Sequence, residues 1–152
     1  MRVVVQRCKN ASVKVDDKIT GKIDDGYLLL TGFTNGDNKE ILKKMAEKIV
    51  NLRIFEDEKG KMNLSLKDVN ASILSVSQFT LYAKLSGRRP SFTDALNYND
   101  AKALYEYFNL ELEKHAVKVE KGIFGADMKV SLLNDGPVTI ILDSEDILWK
   151  NK

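Results

Sequence analysis

Over the first part of the chain, apolar and polar positions alternate in short runs. Residues 3–5 form a β-branched run. At 12–15, Val13 and Val15 alternate with Ser12 and Lys14, the two-residue period of a half-buried strand. Cys8-Lys9-Asn10 joins these two strands, and Asp16-Asp17-Lys18 turns the chain into a third at 19–23. Asp24-Asp25-Gly26 reads as another turn. Residues 27–33 are apolar almost throughout, as in a strand covered on both faces.

The period then changes. Asp37 and Glu40 have the spacing of a capping box, and Ile41, Leu42, Met45, Ile49 and Leu52 share one face of the helix that follows. Met62, Leu64 and Leu66 return to alternation. Residues 72–82 form a long uncharged run that reads as a strand, although it carries Ser75, Ser77, Gln78 and Thr80. On a strand, Gln78 and Thr80 share one face while Ser77 and Phe79 share the other. Residues 84–90 are a basic loop. Asn99 is placed to cap a second helix with Ala101, Leu104, Tyr105, Phe108 and Leu112 on one stripe, ending near His115. Residues 117–119 and the apolar runs 128–133 and 138–142 supply the last strands, and 144–152 is expected to be a loosely ordered charged tail. The order of strands and helices predicts one α+β domain over residues 1–152. Its architecture is a mixed or antiparallel sheet with two helices packed on one face.

Composition narrows the chemistry. The 152 residues suffice for one core, and the formal charge of +2 permits contact with nucleic acid without demanding it. No apolar run is long enough for a membrane span, and Met1 to Arg7 does not read as a leader, so a cytoplasmic location is expected. One cysteine, Cys8, and one histidine, His115, cannot make a Cys/His zinc site. No metal or cofactor is expected. No glycine-rich phosphate loop and no nucleophile elbow is present. A Ser-His-Asp arrangement would need His115, at the end of a helix. A hydrolase built from these residues lacks an obvious side-chain base. It must work by positioning, by backbone N–H donors and by a hydroxyl, which can be the substrate's own. That suits an activated ester.

Two stretches remain unexplained by packing alone. Buried hydroxyls and amides in 72–82 need partners or a site to line. Asn134-Asp135-Gly136-Pro137-Val138-Thr139 lies between two apolar runs. It reads as an ordinary turn, or as a place where a Gly-Pro bond, cis at little cost, aims neighbouring carbonyls together as acceptors for an ammonium group.

Ser77-Gln78-Phe79-Thr80-Leu81 and Asn134-Asp135-Gly136-Pro137-Val138-Thr139 together closely resemble the two signature motifs of the D-aminoacyl-tRNA deacylases. Met1-Arg2-Val3-Val4-Val5-Gln6-Arg7, Gly60-Lys61-Met62-Asn63, Gly87-Arg88-Arg89-Pro90-Ser91-Phe92 and Phe124-Gly125-Ala126-Asp127-Met128 match as well. The resemblance implies the deacylase fold, and a homodimer that hydrolyses the ester joining a D-amino acid, or glycine, to the terminal adenosine of tRNA. It implies a cis Gly136-Pro137 bond inserted into the partner's active site as a chiral filter, rejecting L-amino acids by a built clash. Ser77, Gln78 and Phe79 match the activating strand. Thr80 matches a residue viewed as a nucleophile; without a base in sequence reach, positioning suits it better and leaves the chemistry to the adenosine 2′-OH. Phe79 and Met128 match positions near the adenosine, and Arg7 one that braces the partner's Gly-Pro turn. Lys84, Arg88 and Arg89 are candidates for tRNA backbone contacts. Two other readings compete: a module of the same fold that binds a nucleotide or RNA end without turnover, and a relative with altered chirality preference, against which Arg7 argues.

Overall fold

A computed structural model describes residues 1–150. The chain runs β1 (Arg2–Val15), β2 (Lys18–Gly32), α1 (Lys39–Val50), β3 (Phe55–Glu56), β4 (Met62–Leu64) and β5 (Ser72–Ser77). It continues through a 3-10 turn (Phe79–Tyr82), α2 (Tyr98–Glu113), β6 (Val119–Lys121), β7 (Lys129–Asp143) and α3 (Ser144–Lys150). Five strands form a mixed sheet in the order β6-β5-β2-β1-β7, and β3 and β4 pair as a separate ribbon. β1 is antiparallel to both β2 and β7, whereas β2–β5 and β5–β6 are parallel. The α+β mixed sheet expected from the alternation is therefore the architecture observed.

The core divides between the two faces of that sheet. Val3, Val5, Tyr27, Leu29 and Ile73 pack against Leu42, Met45 and Ile49 of α1 and Phe108 and Leu112 of α2. On the other face, Cys8, Ala11, Val13 and Ile23 gather with Leu28, Leu74 and Val76, and Met128, Val130 and Leu132 close over them. The far halves of β1 and β2 thus fold back over their own sheet.

This curl accounts for several departures from the sequence reading. Residues 3–5 and 12–15 belong to one strand, because Asn10 takes φ 51° and absorbs the bend without ending the pairing. Asp24-Asp25-Gly26 is no turn but part of β2. Gly26 lies so close to Ser72 that an added Cβ would fall 1.7 Å from its carbonyl oxygen. The runs 128–133 and 138–142 likewise join into β7, with a break in register opposite Arg7.

The helix caps also shift. Asn38, not Asp37, caps α1 by accepting from Ile41 N–H at 3.0 Å. Asp37 instead accepts from the Met1 ammonium at 2.6 Å and from Thr34 N–H at 2.8 Å. Asn97, not Asn99, caps α2 through Asp100 N–H. A third helix occupies 144–150, anchored by buried Ser144, whose Oγ accepts from the Met1 ammonium at 2.8 Å. The remainder of the expected tail, 151–152, lies outside the described residues.

Candidate functional site

β5 ends at Ser77, short of the strand to residue 82 that composition favours. Two contacts end it. Gln78 N–H donates to Thr31 O at 2.7 Å, and Leu81 N–H donates back to Gln78 O at 3.3 Å, which starts the 3-10 turn. Gly32 allows this close approach, since a Cβ there would fall 2.9 Å from Gln78 O. The alternation expected at 77–80 therefore fails. Ser77 stays on the strand, and Gln78 to Thr80 are placed by the turn.

The end of β5 is held from behind by α2. Ser75 is fully buried, and its hydroxyl donates to Asn109 Oδ1 at 2.6 Å. Its carbonyl accepts from Tyr105 O–H at 2.7 Å and from Gly122 N–H at 3.0 Å. The hydroxyl and the carbonyl of Ser75, the one fully buried serine of this run, are thereby satisfied. Neither Asn109 nor Tyr105 stood out as polar support in the sequence; a buried serine two residues before the motif was the available signal.

In front of this strand end opens a cleft of about 550 Å³, within the range of small-molecule sites. Ser77, Gln78, Phe79 and Met128 line it, as do Phe33, Leu96, Ala101 and Phe124. Its walls are apolar and aromatic, with few polar groups, which suits a flat base and its sugar. Phe79 is more than half exposed and packs edge-on against Phe92, ring centres 4.9 Å apart. Tyr98 packs in the same way on Phe124 at 5.2 Å.

Thr80 is exposed on the 3-10 turn, and its hydroxyl accepts from the Gln78 side-chain amide. An amide N–H cannot take the hydroxyl proton, so this partner orients Thr80 and does not activate it. Asp127 is the one carboxylate lining the cleft, and Lys129 pairs with it at 3.1 Å. Burial pushes the Cys8 thiol up to about 11, which keeps it protonated and inert at neutral pH.

Gly136 and Pro137 lie elsewhere. Both are exposed on β7, an edge strand, in the irregular stretch opposite Arg7. The bond between them is cis, and Gly136 has φ 127°. The resemblance gives Arg7 to the partner's turn, but here buried Arg7 grips its own chain's stretch: its Nε donates to Asp135 O at 3.0 Å and its Nη1 to Ile54 O at 2.7 Å. Ser77 pairs with Thr31, Thr31 with Val3, and Val3 with Leu142, three strands away. With strands about 4.8 Å apart and residues about 3.3 Å apart along them, the two motifs of one chain are separated by roughly 20 Å. Of the expected site residues, one chain brings Ser77, Gln78, Phe79, Thr80 and Met128 to the cleft region. Arg7, Gly136 and Pro137 form a second cluster across the sheet.

A family model described as D-Tyr-tRNA(Tyr) deacylase matches residues 4–143. The chain belongs to the D-Tyr-tRNA(Tyr) deacylase family. It is 59% identical over 144 residues to a D-aminoacyl-tRNA deacylase of Lactobacillus acidophilus, covering 94% of this chain and 99% of the relative. A D-aminoacyl-tRNA deacylase of Thermosipho africanus is 55% identical over 148 residues, covering 97% and 99%. Among solved structures, the c-Myc DNA Unwinding Element Binding Protein superposes with a TM-score of 0.88 at 41% identity, covering 94% of this chain and 98% of that one. A probable eukaryotic D-amino acid tRNA deacylase superposes at 0.83 with 20% identity, covering 93% and 97%, and shares the fold. Both the cleft and the braced turn lie within the residues that the family model matches.

Proposed function

We propose that this protein hydrolyses the ester between a D-amino acid, or a misplaced glycine, and the terminal adenosine of tRNA. It does so as a homodimer in which each copy lends Gly136-Pro137 to the other's cleft. The observation that carries this reading is the separation of the two motifs. A turn held as firmly as Gly136-Pro137, yet exposed and roughly 20 Å from Ser77 by strand spacing, has work to do in a second molecule. β7 supports the same reading. It is an edge strand of 15 residues, and it exposes Leu133 and Ile141 on either side of the turn. Natural edges of that length are normally covered.

In this arrangement the adenosine lies in the cleft against Phe79 and Met128. Donors around Ser77 and Gln78 hold the ester carbonyl. The carbonyls of the partner's turn accept from the α-ammonium, and an L side chain would be driven into that turn. Glycine has no side chain to clash and passes. Thr80 positions, and the adenosine 2′-OH directs a water whose oxygen attacks the ester carbonyl; the bond to the ribose oxygen breaks, that oxygen takes the water's proton, and the free amino acid leaves. The consequence is chiral proofreading of aminoacyl-tRNA, a task of the cytoplasm.

The test is deacylation of one tRNA charged separately with the D- and L-forms of one amino acid. Rapid loss of the D-ester with the L-ester spared is expected; tRNA binding without loss of either would leave a binding module. In the same assay Thr80→Ala is expected to slow turnover about tenfold, the scale of a lost positioning contact. Complete loss, with an acyl-enzyme trapped in the parent, would restore Thr80 as nucleophile.

A further inference from the structure

Between the 3-10 turn and Asp94 the chain carries Lys84, Arg88 and Arg89 and no acidic residue. Lys84 N–H donates to Ser91 O at 2.8 Å and Ser91 N–H donates to Lys84 O at 2.9 Å, which pinches residues 85–90 into a loop. All of them are exposed. Asp94 holds the Lys84 ammonium at 3.2 Å, so Lys84 secures the base of the loop while Arg88 and Arg89 stand in solvent. Leu85, beside them, is 75% exposed. The loop starts just after Thr80, and Phe92 at its far end packs on Phe79 of the cleft. A pinched loop of this length projects roughly 10 Å, enough to reach beyond a nucleoside seated on Phe79.

We propose that residues 84–91 form an arm for the single-stranded 3′ end of tRNA. Arg88 and Arg89 pair with phosphates just 5′ of the terminal adenosine, and Leu85 lies against a base face. The inference rests on the reading that the cleft takes that adenosine, and it adds where the next nucleotides go. Guanidinium forks match phosphate oxygens in pairs, and phosphates are the groups that the strand presents next along its backbone. The Lys84–Ser91 pinch keeps the two arginines near the cleft mouth without involving them in the chemistry.

The test compares two substrates. One is D-aminoacyl-tRNA; the other is the D-aminoacyl ester of adenosine, which has no phosphate. For Arg88→Ser with Arg89→Ser, KM for the tRNA should rise about tenfold at moderate salt. The slope of log(1/KM) against log salt should fall by about 1.4, the contribution of two single-strand phosphates. Turnover of the adenosine ester should stay at the parent's rate, and the sedimentation coefficient should not move. Lysine at both positions should restore most of the slope. Three outcomes would overturn the proposal: equal loss on both substrates, an unchanged slope with tRNA, or a change of oligomeric state. Should the parent hydrolyse neither ester, the reading of the cleft fails. Filter binding of uncharged tRNA over the same salt series then decides the loop on its own.

Discussion

Arg7→Met is expected to cost about 2–3 kcal/mol of stability, and to lower kcat/KM for D-aminoacyl-tRNA about a hundredfold, because the residue serves a buried and a partly buried acceptor at once. Its Nε meets Asp135 O and its Nη1 meets Ile54 O, and the residue is only 5% exposed. Methionine fills much of the volume and donates nothing. Both carbonyls then lose a charged donor. Part of that cost is offset because a cation no longer has to be kept out of water. The activity loss follows from geometry. Arg7 ties the turn to Ile54, between α1 and the β3–β4 ribbon, so that an exposed stretch of edge strand stays in one place. Urea unfolding measures the first effect. The second needs the D- and L-esters side by side. A brace predicts that D-activity falls while the D/L ratio shrinks. A purely structural role predicts that the active fraction falls with the ratio intact.

The fold was legible where one physical signal dominated. The change from a two-residue to a helical period located α1 and α2. The unbroken apolar run at 27–33 marked β2 as central, with β1 on one side and β5 on the other. What escaped was set by tertiary partners. Lys9 and Asn10 are exposed, and look like a loop, because β1 bends there. Gly26 looks like a turn residue because glycine suits turns; its task here is to let Ser72 come close. Asp37 has the right spacing for a capping box, but the Met1 ammonium takes its carboxylate, and the neighbouring Asn38 caps instead.

The site divides in the same way. Residue types pointed to candidate positions: hydroxyls and an amide in an apolar run, and a Gly-Pro pair between two others. They could not reveal that Gln78 leaves the strand. Ser-Gln-Phe-Thr-Leu-Tyr has every local preference for extended structure, and the break depends on Thr31 O and on the missing Cβ of Gly32. Nor could they reveal distance. The register of β5 on β2, β2 on β1 and β1 on β7 is what sets Gly136 three strands away from Ser77 and well along β7. That register is a property of the whole sheet, and no window along the chain contains it.

Gly136→Ala puts the composite site to its hardest test. A Cβ at this position would lie 2.9 Å from Val138 Cγ2, 3.0 Å from Val138 N and 3.1 Å from Arg7 Nη2, on a residue at φ 127°. No L side chain fits that conformation without strain, and the neighbours that would have to yield include backbone and the brace itself. The turn must therefore move, and deacylation should fall at least about a hundredfold, as expected for catalytic geometry displaced by about an ångström. Gln78→Ala should lose comparable activity by removing a donor next to the ester. The two defects lie in different halves of the site, so a mixture separates the possible arrangements. If each copy completes its own cleft, every site in a mixed dimer carries one defect, and activity stays low. If each copy lends its turn to the other, one site of every mixed dimer carries both defects and the other carries none. Co-expression should then recover roughly a quarter of the parent's activity, since random pairing makes half the two-fold dimers mixed and each has one intact site of two. Recovery near that value would establish that the turn acts in the partner's cleft. Its absence, with mixed dimers shown to be present, would put the filter back within one chain, where strand geometry leaves it no path to Ser77.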